Sequence, residues 1–300
     1  MRAGRGRAYA RTALAGNPSD AYGGRTLAVG VLDFAATAEV EPARALRIEV
    51  GDGDASGIEP LVRAALTRFA AATGHDVAPA VSVRTTVPRQ VGLAGSSAIV
   101  IAVLRALATA CAVELDGDTL AREALAAETE ELGIAAGPQD RLVQARGGLL
   151  YMDFATGGLE VLSPSLLPPL FIAHRLERGE PSGTVHRALR RRFEAGEPDV
   201  LAAMRALAET ASAAREALVA GDRDAFARCL DVSLDLRAGI VELDPRDRRG
   251  ADIARAHGAS VNYTGSGGAV VGVLPEPESD ALARDLAAAG WALVERVFAG

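Results

Sequence analysis

Apolar runs broken by glycine turns dominate the first half of the chain, and those over residues 26–34, 45–50 and 81–87 predict strands. Between them, residues 58–73 carry Leu61, Ala65, Leu66, Phe69 and Ala72 at helical spacing, and Gly74 supplies a stop. A longer apolar stretch, 93–113, opens with Gly95-Ser96-Ser97 and is interrupted by Arg105. A central Arg costs about 2.5 to 3.5 kcal/mol in a membrane span. A helix over 97–112 would also reach only about 24 Å, against a hydrocarbon core of about 30 Å. The stretch therefore predicts a buried helix and no membrane partner. Residues 119–132 predict a further helix, ended at Gly133, whose exposed side carries Arg122, Glu123, Glu130 and Glu131. Gly137-Pro138-Gln139-Asp140 reads as a glycine-punctuated loop, and 149–154 as a strand.

Residues 163–169 hold three prolines ahead of an apolar strand at 170–173 and mark the domain boundary, giving 1–165 and 166–300. Beyond it, 182–193, 199–220, 222–240 and 246–257 predict helices separated by Gly, Pro and Asp. Strand character returns at 261–274 around Gly265-Ser266-Gly267-Gly268, followed by a helix at 277–289 and a strand at 291–298. The order of elements is that of a two-domain α+β chain, and no repeat of fixed period interrupts it.

Composition narrows the function classes. The 300 residues are 49% hydrophobic, enough for two cores at about 150 residues per domain. A formal charge of −7 with 4% aromatics argues against a general nucleic-acid partner, while leaving room for a local anion pocket. All 32 Lys+Arg residues are Arg, which excludes lysine Schiff bases and the lysine-bearing phosphate loop. Cys111 and Cys229 lie far apart and suit a reducing cytoplasm rather than a disulfide framework. The Arg-rich residues 1–11 lack the apolar segment of a secretory signal. His75, His174, His186 and His257 show no metal-ligand spacing.

Four constellations carry candidate chemistry. Gly92-Leu93-Ala94-Gly95-Ser96-Ser97-Ala98 lies between a strand and a helix, where close backbone approach and free helix-start amides favour phosphate. The same residues would also serve as a serine-capped turn. Glu128 and Asp140 offer two carboxylates that could divide between a Mg²⁺ ligand and a group serving an attacking hydroxyl, although Glu128, Glu130 and Glu131 would equally solvate a helix face. Arg11 precedes the turn Asn17-Pro18-Ser19-Asp20-Ala21-Tyr22-Gly23-Gly24, whose side chains could meet a polyhydroxylated ligand. Residues 262–269 form a second glycine-rich loop.

In this order the motifs resemble the GHMP family of small-molecule kinases over nearly the whole chain, and within it the plant-type glucuronokinases and the sugar 1-kinases acting on fucose and heptose phosphate. The resemblance implies an N-terminal domain like domain 2 of ribosomal protein S5, a C-terminal ferredoxin-like domain, ATP and Mg²⁺ as cofactors, and phosphorylation of the anomeric hydroxyl of a sugar, glucuronate or a related uronic acid first. A neutral hexose, a heptose phosphate, another small alcohol, or a non-catalytic binding role are the alternatives. It further implies that residues 92–98 hold the triphosphate, that Ser97 and Glu128 ligate Mg²⁺ with Glu130 or Glu131 as substitutes, and that Asp140 serves the hydroxyl. Arg11 would stabilise the transferred group, Asn17, Asp20 and Tyr22 would contact sugar, and Gly265, Ser266 and Gly267 would close over it. A substrate carboxylate would need a guanidinium from Arg25, Arg175 or Arg237. The first loop, Gly-Leu-Ala-Gly-Ser-Ser-Ala, is one residue longer than the commoner family form.

Overall fold

The structure, a computed structural model, describes residues 1–51, 55–177, 182–274 and 279–295. It divides into two compact units, one of residues 1–10, 32–87 and 94–147, the other of 11–31, 88–93 and 148–300. The second unit thus takes up two early segments that the proline-rich boundary alone would leave in the first.

The first unit holds the beginning of β1 (Gly4–Ala15), the second half of β2 (Arg25–Glu41), β3 (Arg47–Val50) and β4 (Ala80–Thr85). Here β2 runs antiparallel to β4, Ala36 opposite Thr85, and β3 runs parallel to β4, Arg47 opposite Ala80. The helices of this unit are α1 (Ala55–Thr73), α2 (Gly95–Cys111), α3 (Gly117–Ala126), a π-helical turn at Ala127–Glu131, and α4 (Gln139–Arg146). Phe69, Val83, Ile101, Leu104 and Leu107 are fully buried in its core. Glycine brings α2 directly onto β1, since a Cβ at Gly6 would stand 2.0 Å from the Ala102 carbonyl oxygen and one at Gly4 2.3 Å from that of Ala106.

In the second unit the first half of β2 pairs antiparallel with β5 (Leu149–Asp153), and β5 with β6 (Gly158–Leu162). After β7 (Leu170–Arg175) come α5 (Ser182–Glu194), α6 (Pro198–Ala220), α7 (Arg223–Ala238) and α8 (Pro245–Ala256). They lead to β8 (Val261–Tyr263), β9 (Ala269–Val273), α9 (Ser279–Ala288) and β10 (Trp291–Glu295). The sheet order β10-β7-β9-β8 is antiparallel throughout. Read in chain order these strands lie fourth, first, third, second, which is the ferredoxin-like arrangement. Phe171, Leu234, Tyr263, Leu286 and Trp291 fill its core.

Three local expectations need correction, and one strand is added to those expected. Asp140 lies in the first turn of α4 and not in a loop, because Pro138 starts a helix too short and polar to show an apolar period. Glu123 is buried instead of exposed, because Arg68 of α1 reaches it at 2.9 Å. Ala72 is exposed, the apolar face of α1 ending at Phe69. Strand β6 carried no alternating signal strong enough to predict it. The ends of the expected helix at 277 and strand at 298 lie outside the described residues, as does the side chain of His186. No helix among the described residues is long and apolar enough to cross a membrane.

Candidate active site

In the first unit the site grows from the start of α2. Ala94 caps the helix in the left-handed region, φ 58°, a conformation that turns the chain sharply before Gly95, Ser96 and Ser97. The first amides of any helix lack carbonyl partners within it, so this turn presents donors suited to an anion. Gln144 of α4 donates to the Ala94 carbonyl at 2.9 Å and fixes the turn from behind. Ala94, Gly95 and Ser96 are partly exposed, whereas Ser97 and Ala98 are buried.

The two serines point to different partners. Ser96 Oγ donates to Glu128 Oε1 at 2.6 Å, while Ser97 Oγ donates back to the Ala94 carbonyl at 3.2 Å. Glu128 sits on the π-helical turn and is 1% exposed. Its second oxygen accepts from Arg141 Nε at 2.7 Å and also from Nη2. Arg141 in turn donates to the Gly137 carbonyl at 2.8 Å and stands 3.5 Å from Asp140 Oδ2. Thus Ser96, Glu128, Arg141 and Asp140 form one connected polar chain at the start of α2. Glu130 and Glu131 turn elsewhere, to Arg68 at 2.8 and 3.7 Å.

In the second unit Arg11, 4% exposed on β1, donates from one nitrogen to the carbonyls of Gly92 at 2.8 Å and Thr264 at 2.5 Å. Thr264 Oγ1 donates to the same Gly92 carbonyl at 3.1 Å. The two glycine-rich stretches meet backbone to backbone, since a Cβ at Gly265 would lie 2.3 Å from the Gly92 oxygen. Gly92, Ser266 and Gly267 are partly exposed, and Leu93 and Gly265 are buried. Arg237, buried on α7, donates to the Gly265 carbonyl and lies over the Tyr263 ring at 5.5 Å. Burial and the nearby Arg11 cation push the Arg237 guanidinium down to about 10, against the opposing pull of Tyr263 and Asp247. It therefore remains a cation at neutral pH. Asn17 is tied to Asn262 at 3.2 Å and to the Tyr263 carbonyl at 3.4 Å. Asp20 is buried in a 3-10 turn, Ser19–Tyr22, and Tyr22 stacks on Phe193 with centroids 4.4 Å apart. Burial pushes the Tyr22 phenol up to about 12.

Sequence reasoning missed Gln144 and the pairing of Arg141, and it offered Arg237 only as a guanidinium for a substrate carboxylate. Gln144 and Arg237 lie in otherwise ordinary helical positions, so nothing local announces that they hold a loop carbonyl. Arg141 follows directly on Gln139-Asp140, and that adjacency was the available signal for its pairing with Glu128.

Residues 60–148 match the family model for the GHMP kinases N terminal domain. Over 91% of this chain and 85% of the relative, the chain is 33% identical to Probable glucuronokinase 2 of Arabidopsis thaliana. It is 31% identical to Glucuronokinase 1 of the same plant at the same coverage. The fold is shared with galactokinase from Lactococcus lactis, solved with galactose, at a TM-score of 0.81 and 13% identity over 99% of this chain and 94% of that one.

Proposed function

The chain belongs to the GHMP kinases, which are ATP-dependent phosphotransferases, and from that premise we propose that it phosphorylates the anomeric hydroxyl of a sugar, with glucuronate or a related uronic acid as acceptor. The observation that carries the reading is the polar chain Ser96–Glu128–Arg141–Asp140 at the opening of α2. An anion cradle, a carboxylate paired with a hydroxyl, and a second carboxylate are the parts that phosphoryl transfer to an alcohol requires.

Mg²⁺ suits this donor set. Mg²⁺ takes hard oxygen ligands and is commonly held by one or two carboxylates together with nucleotide phosphates. Glu128 and Ser96 supply such a pair, and no cluster of three His, Cys, Asp or Glu side chains competes for the ion among the described residues. Ser96 fits the role better than Ser97, because its partly exposed hydroxyl stands 2.6 Å from Glu128 whereas the buried Ser97 hydroxyl turns back to the Ala94 carbonyl. The bound ion would neutralise charge on the triphosphate.

Asp140 is the group we assign to the acceptor hydroxyl, orienting it and taking its proton as the new phosphorus–oxygen bond forms and the γ-phosphorus bond to the bridging oxygen breaks, releasing ADP. Arg141 holds the carboxylate from one side and Gln139 Nε2 lies 3.3 Å from its Oδ1. No covalent intermediate on the protein is needed, because alignment and charge stabilisation suffice for direct transfer. Arg11 contributes a permanent cation beside the paired glycine stretches, where Lys would carry a proton it could lose.

The acceptor class rests on the plant relatives. Of the three arginines that could meet a substrate carboxylate, Arg175 is paired with Asp247 at 2.7 Å and Arg237 is bonded to the Gly265 carbonyl. Arg25 is partly exposed, and its carbonyl accepts from Ser19 beside Asp20, which makes it the candidate reader. A panel of glucuronate, galacturonate, glucose, galactose and heptose 7-phosphate, with ATP consumption as readout and phosphate position read by NMR, tests the proposal. Glucuronate is expected to turn over fastest and to emerge as the 1-phosphate. Preference for a neutral hexose or a heptose phosphate overturns the acceptor, and Mg²⁺-dependent ATP binding without transfer to any of them overturns catalysis.

A further inference from the structure

Four carboxylates, Glu123, Glu128, Glu130 and Glu131, fall within nine consecutive residues of α3 and the turn that follows it. In an α-helix Glu128 and Glu131, three apart, would share a face and compete for the same partners. Here the turn widens to a π-helix and is closed by the Ile134 amide donating to the Glu128 carbonyl at 2.7 Å. Glu128 then turns to Ser96 and Arg141, and the other three turn to Arg68 of α1. The Arg68 side chain is 21% exposed and contacts Glu123 at 2.9 Å, Glu130 at 2.8 Å and Glu131 at 3.7 Å. Arg122 also reaches Glu123, at 3.0 Å.

We propose that Arg68 is a positioning residue for the cation site: by drawing Glu123, Glu130 and Glu131 onto one guanidinium it fixes the register of the π-helical turn, so that Glu128 alone is delivered to Ser96. The inference rests on the reading of Ser96 and Glu128 as the Mg²⁺ pair. Burial opposes the Arg68 charge, yet the three carboxylates outweigh it and raise the guanidinium above its ordinary value. Arg68 itself contacts none of the residues assigned to nucleotide or acceptor. Its influence would travel through one turn of backbone, one step further removed than a group bonded directly to a metal ligand.

The experiment titrates Mg²⁺ against full-length protein and a non-hydrolysable ATP analogue by calorimetry, with turnover measured in parallel. In Arg68→Gln the Mg²⁺ concentration for half-saturation should rise about tenfold, as for other supporting groups around metal ligands. Analogue binding without Mg²⁺ should stay unchanged, and turnover at saturating Mg²⁺ should return to within a few-fold of wild type. Arg68→Lys should shift it less, because an ammonium keeps the charge without the fork that spans several carboxylates. Should Arg68→Gln fail to fold, the double variant Glu130→Gln/Glu131→Gln keeps the buried pair with Glu123 and should shift the requirement in the same direction. A folded Arg68→Gln, or that double variant, with wild-type Mg²⁺ dependence overturns the proposal. Glu128→Gln separates the two levels: if it leaves Mg²⁺ dependence untouched, the cation reading itself fails, whereas a shift in Glu128→Gln with none in the Arg68 variants removes only Arg68.

Discussion

Asp140 carries the sharpest expectation at the level of single residues. Asp140→Asn keeps shape and removes the proton acceptor, so turnover should fall by about a thousandfold. Calorimetry should show Mg²⁺ and nucleotide binding preserved, because the proposal assigns those to Ser96, Glu128 and the opening of α2. Turnover within tenfold of wild type would remove Asp140 from the role. Arg11 makes a different test, since one of its nitrogens serves two carbonyls at once, those of Gly92 and Thr264. Arg11→Lys retains the charge but sets it at a different reach; the Gly92 and Thr264 carbonyls keep Thr264 Oγ1 and the Ala13 amide as donors, so what is lost is charge-assisted bonding of about 1.5 to 3 kcal/mol. The variant should therefore melt several degrees lower as well as turn over more slowly, and an unchanged melting temperature would show that the guanidinium does not join the two stretches. At this scale the residue types of the site were legible in the sequence while their pairings were not. Ser96 and Ser97 are indistinguishable as letters, and only the rotation of α2 decides which hydroxyl meets Glu128. Glu128, Glu130 and Glu131 are likewise alike as letters, and only the fold pairs the last two with Arg68, some sixty residues earlier.

Elements with a long apolar period could be read from the chain directly. α1, α2, α6 and α7 follow their predicted spans closely, because burial on one face leaves a regular trace in sequence. α4 could not be read that way, being eight residues long and opening on Gln-Asp-Arg. Its stability comes from tertiary bonds, with Gln144 holding the Ala94 carbonyl and Arg141 holding Glu128. The left-handed Ala94 that opens α2 is a second feature without a sequence signal, because Gly is the usual occupant of such a position. A β-branched side chain there is far less tolerant, so Ala94→Val should lose about 1 to 3 kcal/mol of stability. It should also weaken nucleotide binding by displacing the first amides of α2. Urea denaturation and calorimetry measure the two effects, and wild-type values in both would show that the turn can open the helix in another conformation.

Over the whole molecule, a few titrating groups bias stability towards the ends of the pH range. Hydrogen bonds from Arg215 keep Glu160 below its ordinary value of 4.5, and Arg246 does the same for Asp244 below 3.8. Carboxylates with depressed values stabilise the fold above their unfolded values, and that contribution is lost as acid protonates them in the folded state. Tyr22 acts at the other end, raised by burial from 10.0 to about 12. Between those values the unfolded chain sheds a proton that the folded chain retains, so stability declines as pH climbs through that interval. Urea midpoints should accordingly stay level across neutral pH and drop on both sides, and Tyr22→Phe should soften the alkaline decline. An unsoftened decline would assign it to other groups, of which Tyr263, also raised by burial, is one. The close seating of α2 on Gly4 and Gly6 bears on how any mutational survey of this chain should be read. Neither position admits even a methyl group without lifting the helix. A saturation library sorted for catalysis would deplete both as severely as the proposed site positions 128 and 140, and a tolerance map would then draw the reaction centre too large. Sorting the same library first for folded yield strips out the two glycines and leaves the chemistry standing by itself.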